Sequence, residues 1–399
     1  MLNGVFGRRI ALIAMLGASL ALAACSGPTR LPPVPAADTA RAQPLGIPNA
    51  RFFPTAGIEP MVQEGLASLQ RERAYLGIGP DDPLPPAHFL AVSGGGDDGA
   101  FGAGLLVGWG ENGTRPEFRM VTGVSTGALI APFAFLGKPY DEKLSQVYTT
   151  ITADNIFIQR SLFGAVFEDA MADTTPLFEM ISQYVDEKML ADIAAEYQKG
   201  RLLLIGSTQL DAQVPVIWNI GAIAASGKEG SLELVRKILR ASSAVPAAFQ
   251  PVLIDVELDG KKYQELHVDG GAIAQMFVYP PGIDLKKAKP RERHAWLIRN
   301  ARMDLAWAET QPRTFSIAGR AISTMIHSSG NNDIMRIYFI TQRDGVDYNL
   351  AFIGSDFDTP HTADFDPVYM KALAKYGYDL GKAGYPWLKQ PPSMGGGAQ

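Results

Sequence analysis

Three short segments hold residue types suited to nucleophilic chemistry. In Gly123-Val124-Ser125-Thr126-Gly127 a serine stands between an apolar run and an apolar segment of helical character. A serine on a tight strand-to-helix turn has its Oγ pushed into the open, the arrangement of a nucleophile elbow. Gly123 and Gly127 on either side permit strained backbone and close packing, and the helix N-terminus behind the serine favours developing negative charge. The plainer alternative is a loop serine capping the next helix. Upstream, Ser93-Gly94-Gly95-Gly96-Asp97-Asp98-Gly99 follows another apolar run. Three glycines let backbone N–H groups converge on an anion. Gly94, Gly96 and Gly99 loosely fit a dinucleotide fingerprint, but no Gly-Lys-Ser/Thr follows, which excludes a Walker A loop. With a candidate nucleophile about thirty residues on, an oxyanion hole is the more economical role. Downstream, in His267-Val268-Asp269-Gly270-Gly271, an acidic residue ends a strand. Alone it reads as a plain turn. His267 is expected to face away from Asp269 and to be structural.

The elements that must position these residues follow from periodicity. Apolar runs at Ala87–Val92, Phe118–Thr122, Leu202–Ile205, Val214–Ile220, Ala295–Ile298 and Ile337–Thr341 read as strands. Val252–Leu258 and Lys262–Val268 flank Asp259-Gly260, a hairpin signal. Helical stretches are expected at Glu59–Tyr75, Ala128–Leu136, Ser231–Ser242 and Asp366–Leu380. Strands alternating with helices argue an α/β fold with a mostly parallel sheet covered on both faces.

Composition closes several doors. A formal charge of −5, with no basic stripe, argues against a nucleic-acid partner. The single cysteine removes disulfide scaffolds and Cys-based zinc sites, and five scattered histidines without HExxH spacing give no reason to expect a metal. Asp97 and Asp98 alone read as a solvated turn rather than a calcium site. That one cysteine, Cys25, follows Arg8, Arg9, an uncharged apolar run from Ile10 and Leu22-Ala23-Ala24. The run is short for a span and right for a signal peptide. Small residues directly before the cysteine resemble a bacterial lipobox. The resemblance implies lipidation of Cys25 and, with Ser26 next, anchoring at the outer membrane facing the periplasm of a Gram-negative bacterium. Recurrent prolines from Pro28 to Pro48 suggest a semi-extended tether.

A Gly-rich strand end, then GxSxG, then a strand-terminal Asp-Gly-Gly is the order of patatin-like phospholipases, and the chain resembles that family over about Ala87 to Gly271. Ala241-Ser242-Ser243-Ala244-Val245-Pro246 adds a fourth motif in order. The resemblance implies a three-layer α/β/α fold and a lipid acyl hydrolase without cofactor or metal. It implies a Ser125–Asp269 dyad and an oxyanion hole from the backbone of Gly94, Gly95 and Gly96. It departs from the family at Ser93, where the family carries Asp, and at Asp98, where it carries Arg or Lys; a cation near the site is expected to be lost. Burial is expected to raise the Asp269 pKa and make it a better base. A carboxylate base is also expected to keep activity below the pH at which a histidine protonates. With no imidazolium to protonate an amine, esters suit the dyad better than amides. The alternatives are an α/β-hydrolase triad using His327 or His361, and a non-catalytic lipid-binding surface lipoprotein. The chain divides into signal peptide (1–24), tether (25–50), helical extension (51–86), hydrolase domain (87–385) and flexible tail (386–399).

Overall fold

The short apolar runs become strands buried on both faces. The computed structural model describes residues 30–159, 172–304, 307 and 309–394. In chain order its strands are β1 (Arg51–Phe52), β2 (Ala87–Val92), β3 (Met120–Val124), β4 (Ile158–Gln159), β5 (Ala172–Asp173), β6 (Leu202–Gln209), β7 (Val214–Asn219), β8 (Val252–Leu258), β9 (Lys261–Asp269), β10 (Arg293–Arg302) and β11 (Asp347–Ile353). The helices are α1 (Glu59–Leu76), α2 (Gly99–Asn112), α3 (Thr126–Leu136), α4 (Asp141–Thr150), α5 (Thr175–Tyr184), α6 (Glu187–Gln198), α7 (Ile220–Ala225), α8 (Ser231–Ser242), α9 (Thr314–Asp344) and α10 (Pro367–Ala383).

Strands β11, β10, β2, β3 and β6 lie side by side and parallel. Antiparallel β7 and then β1 extend the sheet beyond β6, while β4 and β5 pair apart from it. Alternate residues serve opposite faces, as strand geometry requires. Leu90, Val92, Val121, Leu203 and Ile205 join one apolar core with residues of α2, α3, α4, α8 and α10. Ala91, Met120, Leu204, Ala295 and Leu297 join the other with Ile334 and Ile337 of α9. The result is the three-layer α/β/α arrangement expected.

Three expectations are corrected. Ile337–Thr341 is not a strand but the interior of α9. Buried Ile334, Ile340 and Thr341 each lie three or four residues from Ile337, itself buried, so the helical period overrides the β-branched composition. Residues 30–50 are not a free tether either. Val34, Ala42, Ile47 and Ala50 are buried, Gln43 bridges Glu257, and the Pro32 carbonyl accepts the Gln264 N–H at 3.2 Å. Proline removes donors but leaves its carbonyl and its neighbours' side chains free to dock. The tail is likewise held at Leu388, which pairs with Leu350. Cys25 and the apolar run before it lie outside the described residues.

Candidate active site

Ser125 and Asp269 meet because two strands share one edge of β6. The first half of β6 pairs with β3, ending at Val124 opposite Gly206. At the next residue, Ser207, the partner changes to Asp269 of antiparallel β9. Ser125, directly after Val124, therefore arrives beside the end of β9 across a single step of β6. The long hairpin of β8 and β9 is what returns Asp269 to the carboxyl ends of the parallel strands, where ligands of α/β sheets bind.

Ser125 carries the strain of the elbow itself, with φ 56° and ψ −128°. Gly123 and Gly127 do not adopt positive φ; they are needed for space. A Cβ on Gly123 would run into the Gly127 carbonyl, and one on Gly127 into the carbonyl of Val92. The Ala-Ser-Ser-Ala segment, which sequence reasoning left without a role, ties the pair together. Ser242 Oγ accepts the Ser125 N–H at 3.0 Å and donates to the Gly206 carbonyl at 2.6 Å. The Ala244 carbonyl accepts the Asp269 N–H at 2.8 Å.

Asp269 is buried, 4% exposed. Its Oδ1 accepts the Gly271 N–H at 2.7 Å, and its Oδ2 is buried without a partner at ordinary hydrogen-bond geometry. Burial pushes its pKa up to about 7; the nearby Ser125 hydroxyl and the Gly271 N–H pull the other way without prevailing. The carboxyl thus has an oxygen to spare and a proton affinity suited to a base near neutral pH.

The three glycines are not equivalent. The Gly94 N–H donates to the Gln275 carbonyl at 3.2 Å, so the oxyanion role expected of it is not supported. Gly94 is a spacer: a Cβ there would lie 3.1 Å from Ser125 Cβ and 2.8 Å from Gln275 Oε1. The Gly95 and Gly96 N–H groups meet no acceptor among the described residues and remain candidate donors. A Cβ on Gly95 would strike the Asn300 carbonyl.

The hydrogen-bond partners of His327 and His361 are neither Ser125 nor Asp269. His361 Nε2 is 2.7 Å from Asp97 Oδ2, and His327 Nε2 is 3.1 Å from Asn331 Nδ2 on α9. His267 is structural as expected, but not because it faces away: residues two apart on a strand share a face. Its ring nitrogens are claimed by Ser207 Oγ at 3.0 Å and Glu265 Oε2 at 3.1 Å. Among the described residues no cluster of three or more His, Cys, Asp or Glu could hold a metal ion.

Residues 90–280 match the family model for patatin-like phospholipase. The chain carries a patatin-like phospholipase domain. None of the curated proteins matches it. Among solved structures, VipD from Legionella pneumophila aligns at 12% identity with a TM-score of 0.37, over 74% of this chain and 66% of that one.

A cation from beyond the matched residues lies near the glycine loop, contrary to the expectation from Asp98. Arg299, on β10, is 2% exposed. Its Nη1 lies 3.4 Å from Ser93 Oγ and 3.5 Å from the Gly94 carbonyl, and α9 approaches the guanidinium so closely at Gly330 that a Cβ there would strike it. Its neighbour Asn300 fixes the loop: the Asn300 N–H donates to Ser93 Oγ at 2.9 Å, Nδ2 donates to the Ser93 carbonyl at 2.9 Å, and Oδ1 accepts the Gly102 N–H at 3.0 Å. Asp98 does not face the site as a free charge. Burial raises its pKa to about 6, and the Tyr369 hydroxyl donates to it at 2.5 Å. Sequence reasoning missed Arg299 and Asn300; the available signal was a polar pair following the apolar run Ala295–Ile298, at the carboxyl end of a parallel strand.

Proposed function

We propose that the chain is a serine lipid acyl hydrolase that cleaves carboxylic esters of lipids through Ser125 and Asp269. The supporting observation is the shared β6 edge, which sets a strained serine beside a buried carboxyl with one oxygen unpartnered. In this reading Asp269 accepts the Ser125 proton as Oγ attacks the ester carbonyl. The tetrahedral oxyanion lies against the N–H groups of Gly95 and Gly96 and the N-terminus of α3, where each well-placed donor contributes about 10²–10³ in rate. The proton passes to the leaving alcohol, and water, deprotonated by Asp269, then cleaves the acyl-enzyme. Arg299 beneath the loop holds a positive field close to the oxyanion, so phospholipids stand beside neutral esters as candidate substrates.

The test is hydrolysis of phospholipids, lysolipids, glycerides and acyl thioesters, with Ser125→Ala as control. Ester cleavage that vanishes in Ser125→Ala is expected. A fluorophosphonate probe should label Ser125; a chain that neither labels nor turns over any of these lipids is instead a binding protein. The lipobox further suggests an anchor at Cys25 in the outer membrane. Cys25→Ser should release the protein from the membrane fraction or block its maturation, and unchanged fractionation with unchanged processing would refute the anchor.

A further inference from the structure

The long helix α9 overshoots the sheet it packs on. Its 31 residues span about 46 Å, whereas β11, the strand into which it leads, has 7 residues and spans about 23 Å. Because α9 runs back from the end of β10 to the start of β11, its excess length projects past the carboxyl ends of the parallel strands. Burial agrees: Gly330, Asp333, Ile334 and Ile337 are buried, while Ile317 is 53%, Ile322 40% and Met325 61% exposed. Ile317, Ala321 and Met325 recur every four residues, and Ile322 lies beside them, so the overhang carries an apolar stripe along one side.

Charge points to what covers that stripe. From Thr310 to Asn332 the sequence has no carboxylate but includes Arg313 and Arg320, in a chain whose formal charge is −5. Just past the end of β6, Arg30 pairs with Asp211 at 2.6 Å, so the described chain begins at the same end of the sheet as Ser125. Cys25 stands five residues upstream, within about 17 Å of extended chain. Among the described residues no helix is long and apolar enough to cross a membrane, which leaves α9 the geometry of a helix lying on a surface rather than crossing it.

We infer that the overhang of α9 rests on an anionic lipid surface and presents the carboxyl end of the sheet, with Ser125, to that surface. For its purpose this rests on the lipid-hydrolase reading, because it supplies the surface from which an ester reaches the serine; the docking itself is independent of turnover. The same helix carries both tasks: Asp333, further along α9, accepts the Gln275 N–H at 2.6 Å and so ties the surface helix to the loop packed on Gly94.

The test uses the full chain with Cys25→Ser and Ser125→Ala. An environment-sensitive fluorophore is placed at Met325→Cys, or at Lys287→Cys near the amino ends of the strands, and vesicles of phosphatidylethanolamine and phosphatidylglycerol carry brominated acyl chains. The label at position 325 is expected to shift to the blue and be quenched, the label at position 287 to do neither. Adding Ile317→Asp and Ile322→Asp should reduce vesicle quenching by about tenfold or more. Reversing Arg313 and Arg320 to Glu should weaken it by about tenfold. These side chains are outside the catalytic machinery, so with Ser125 restored the Asp variants should cleave a soluble short-chain ester at the parent rate and lose activity on vesicle lipid. Equal quenching at both positions overturns the inference. So does a blue shift without vesicles that grows with protein concentration, since a second copy then covers the stripe. Quenching at position 325 in a chain whose restored Ser125 cleaves no ester sinks the hydrolase reading and leaves the docking intact.

Discussion

At the scale of single residues, Asp269 is the proposed base, and its burial carries a cost. Its pKa of about 7 in the fold lies well above the unfolded value of about 3.9. Between those values the folded state holds the extra proton, so stability falls as pH rises from about 4 to about 7 and is level above. Asp269→Asn keeps the shape without the buried charge. It should therefore melt higher than the wild type at about pH 8 and show little difference at about pH 4, which thermal denaturation at the two pH values checks. The same substitution should lower turnover by about 10²–10⁴, while His327→Ala and His361→Ala lose at most a few-fold. The opposite kinetic pattern, an active Asp269→Asn and one histidine as damaging as Ser125→Ala, would falsify the dyad. Activity should rise with pH through about 7 as the carboxylate ionises. That limb falls where a histidine's would, so the contrast expected from an ordinary aspartate disappears, and the substitutions rather than the pH profile must discriminate.

At the scale of elements, the site depends on a loop and an edge held by neighbours. The glycine loop is pinned by Asn300 of β10, and the reason for glycine at position 95 differs from the one sequence suggests. An added side chain would not merely shade the oxyanion; its Cβ would strike the Asn300 carbonyl. Gly95→Ala should already cut turnover by about 10² or more and also lower the melting temperature, because backbone must move. Normal melting together with normal turnover would remove the loop from the mechanism. Ser242, fully buried, both accepts from Ser125 and donates to Gly206. Ser242→Ala orphans a buried N–H, at about 1–3 kcal/mol, and should slow turnover with little change in KM, as befits a group that orients the nucleophile without touching substrate.

At the scale of the whole molecule, the chain before β1 belongs to the folded body. Val34 and Ile47 are buried in the main core, and the Arg51 guanidinium, paired with Glu265 of β9 in the interior, also donates to the Ala42 carbonyl at 2.7 Å. Removing residues 1–50 exposes apolar surface that those side chains cover, at about 1.5–3 kcal/mol for each large side chain. The shortened chain should melt several degrees lower than a chain lacking only residues 1–29. Equal melting of both truncations would show that this segment contributes nothing to stability. At the far end, α10 closes the fold by lying against α2. A Cβ on Gly104, Gly108, Gly377 or Gly381 would meet backbone of the opposite helix, so the two helices approach closely through small residues.

The linear sequence determined the parts whose signal is local. The strand-to-helix turn at Ser125, the glycine run at 94–96 and the strand-terminal Asp269 each have a plainer reading alone, but their order along the chain is far more specific than any one of them. Strand alternation with helices is also local, and it was enough for a mostly parallel sheet covered on both faces; the three-layer class came from the family resemblance. What depends on distant residues was not legible. That Gly94 N–H is occupied follows from Gln275, that a cation remains follows from Arg299, and that 30–50 is docked follows from Glu257 and Gln264, all far along the chain. Ile337–Thr341 shows the same limit: a short β-branched run fits either period, and only packing against the sheet chose the helix. The basicity of Asp269 was decided last of all, because its pKa is set by how completely the tertiary fold excludes water from it.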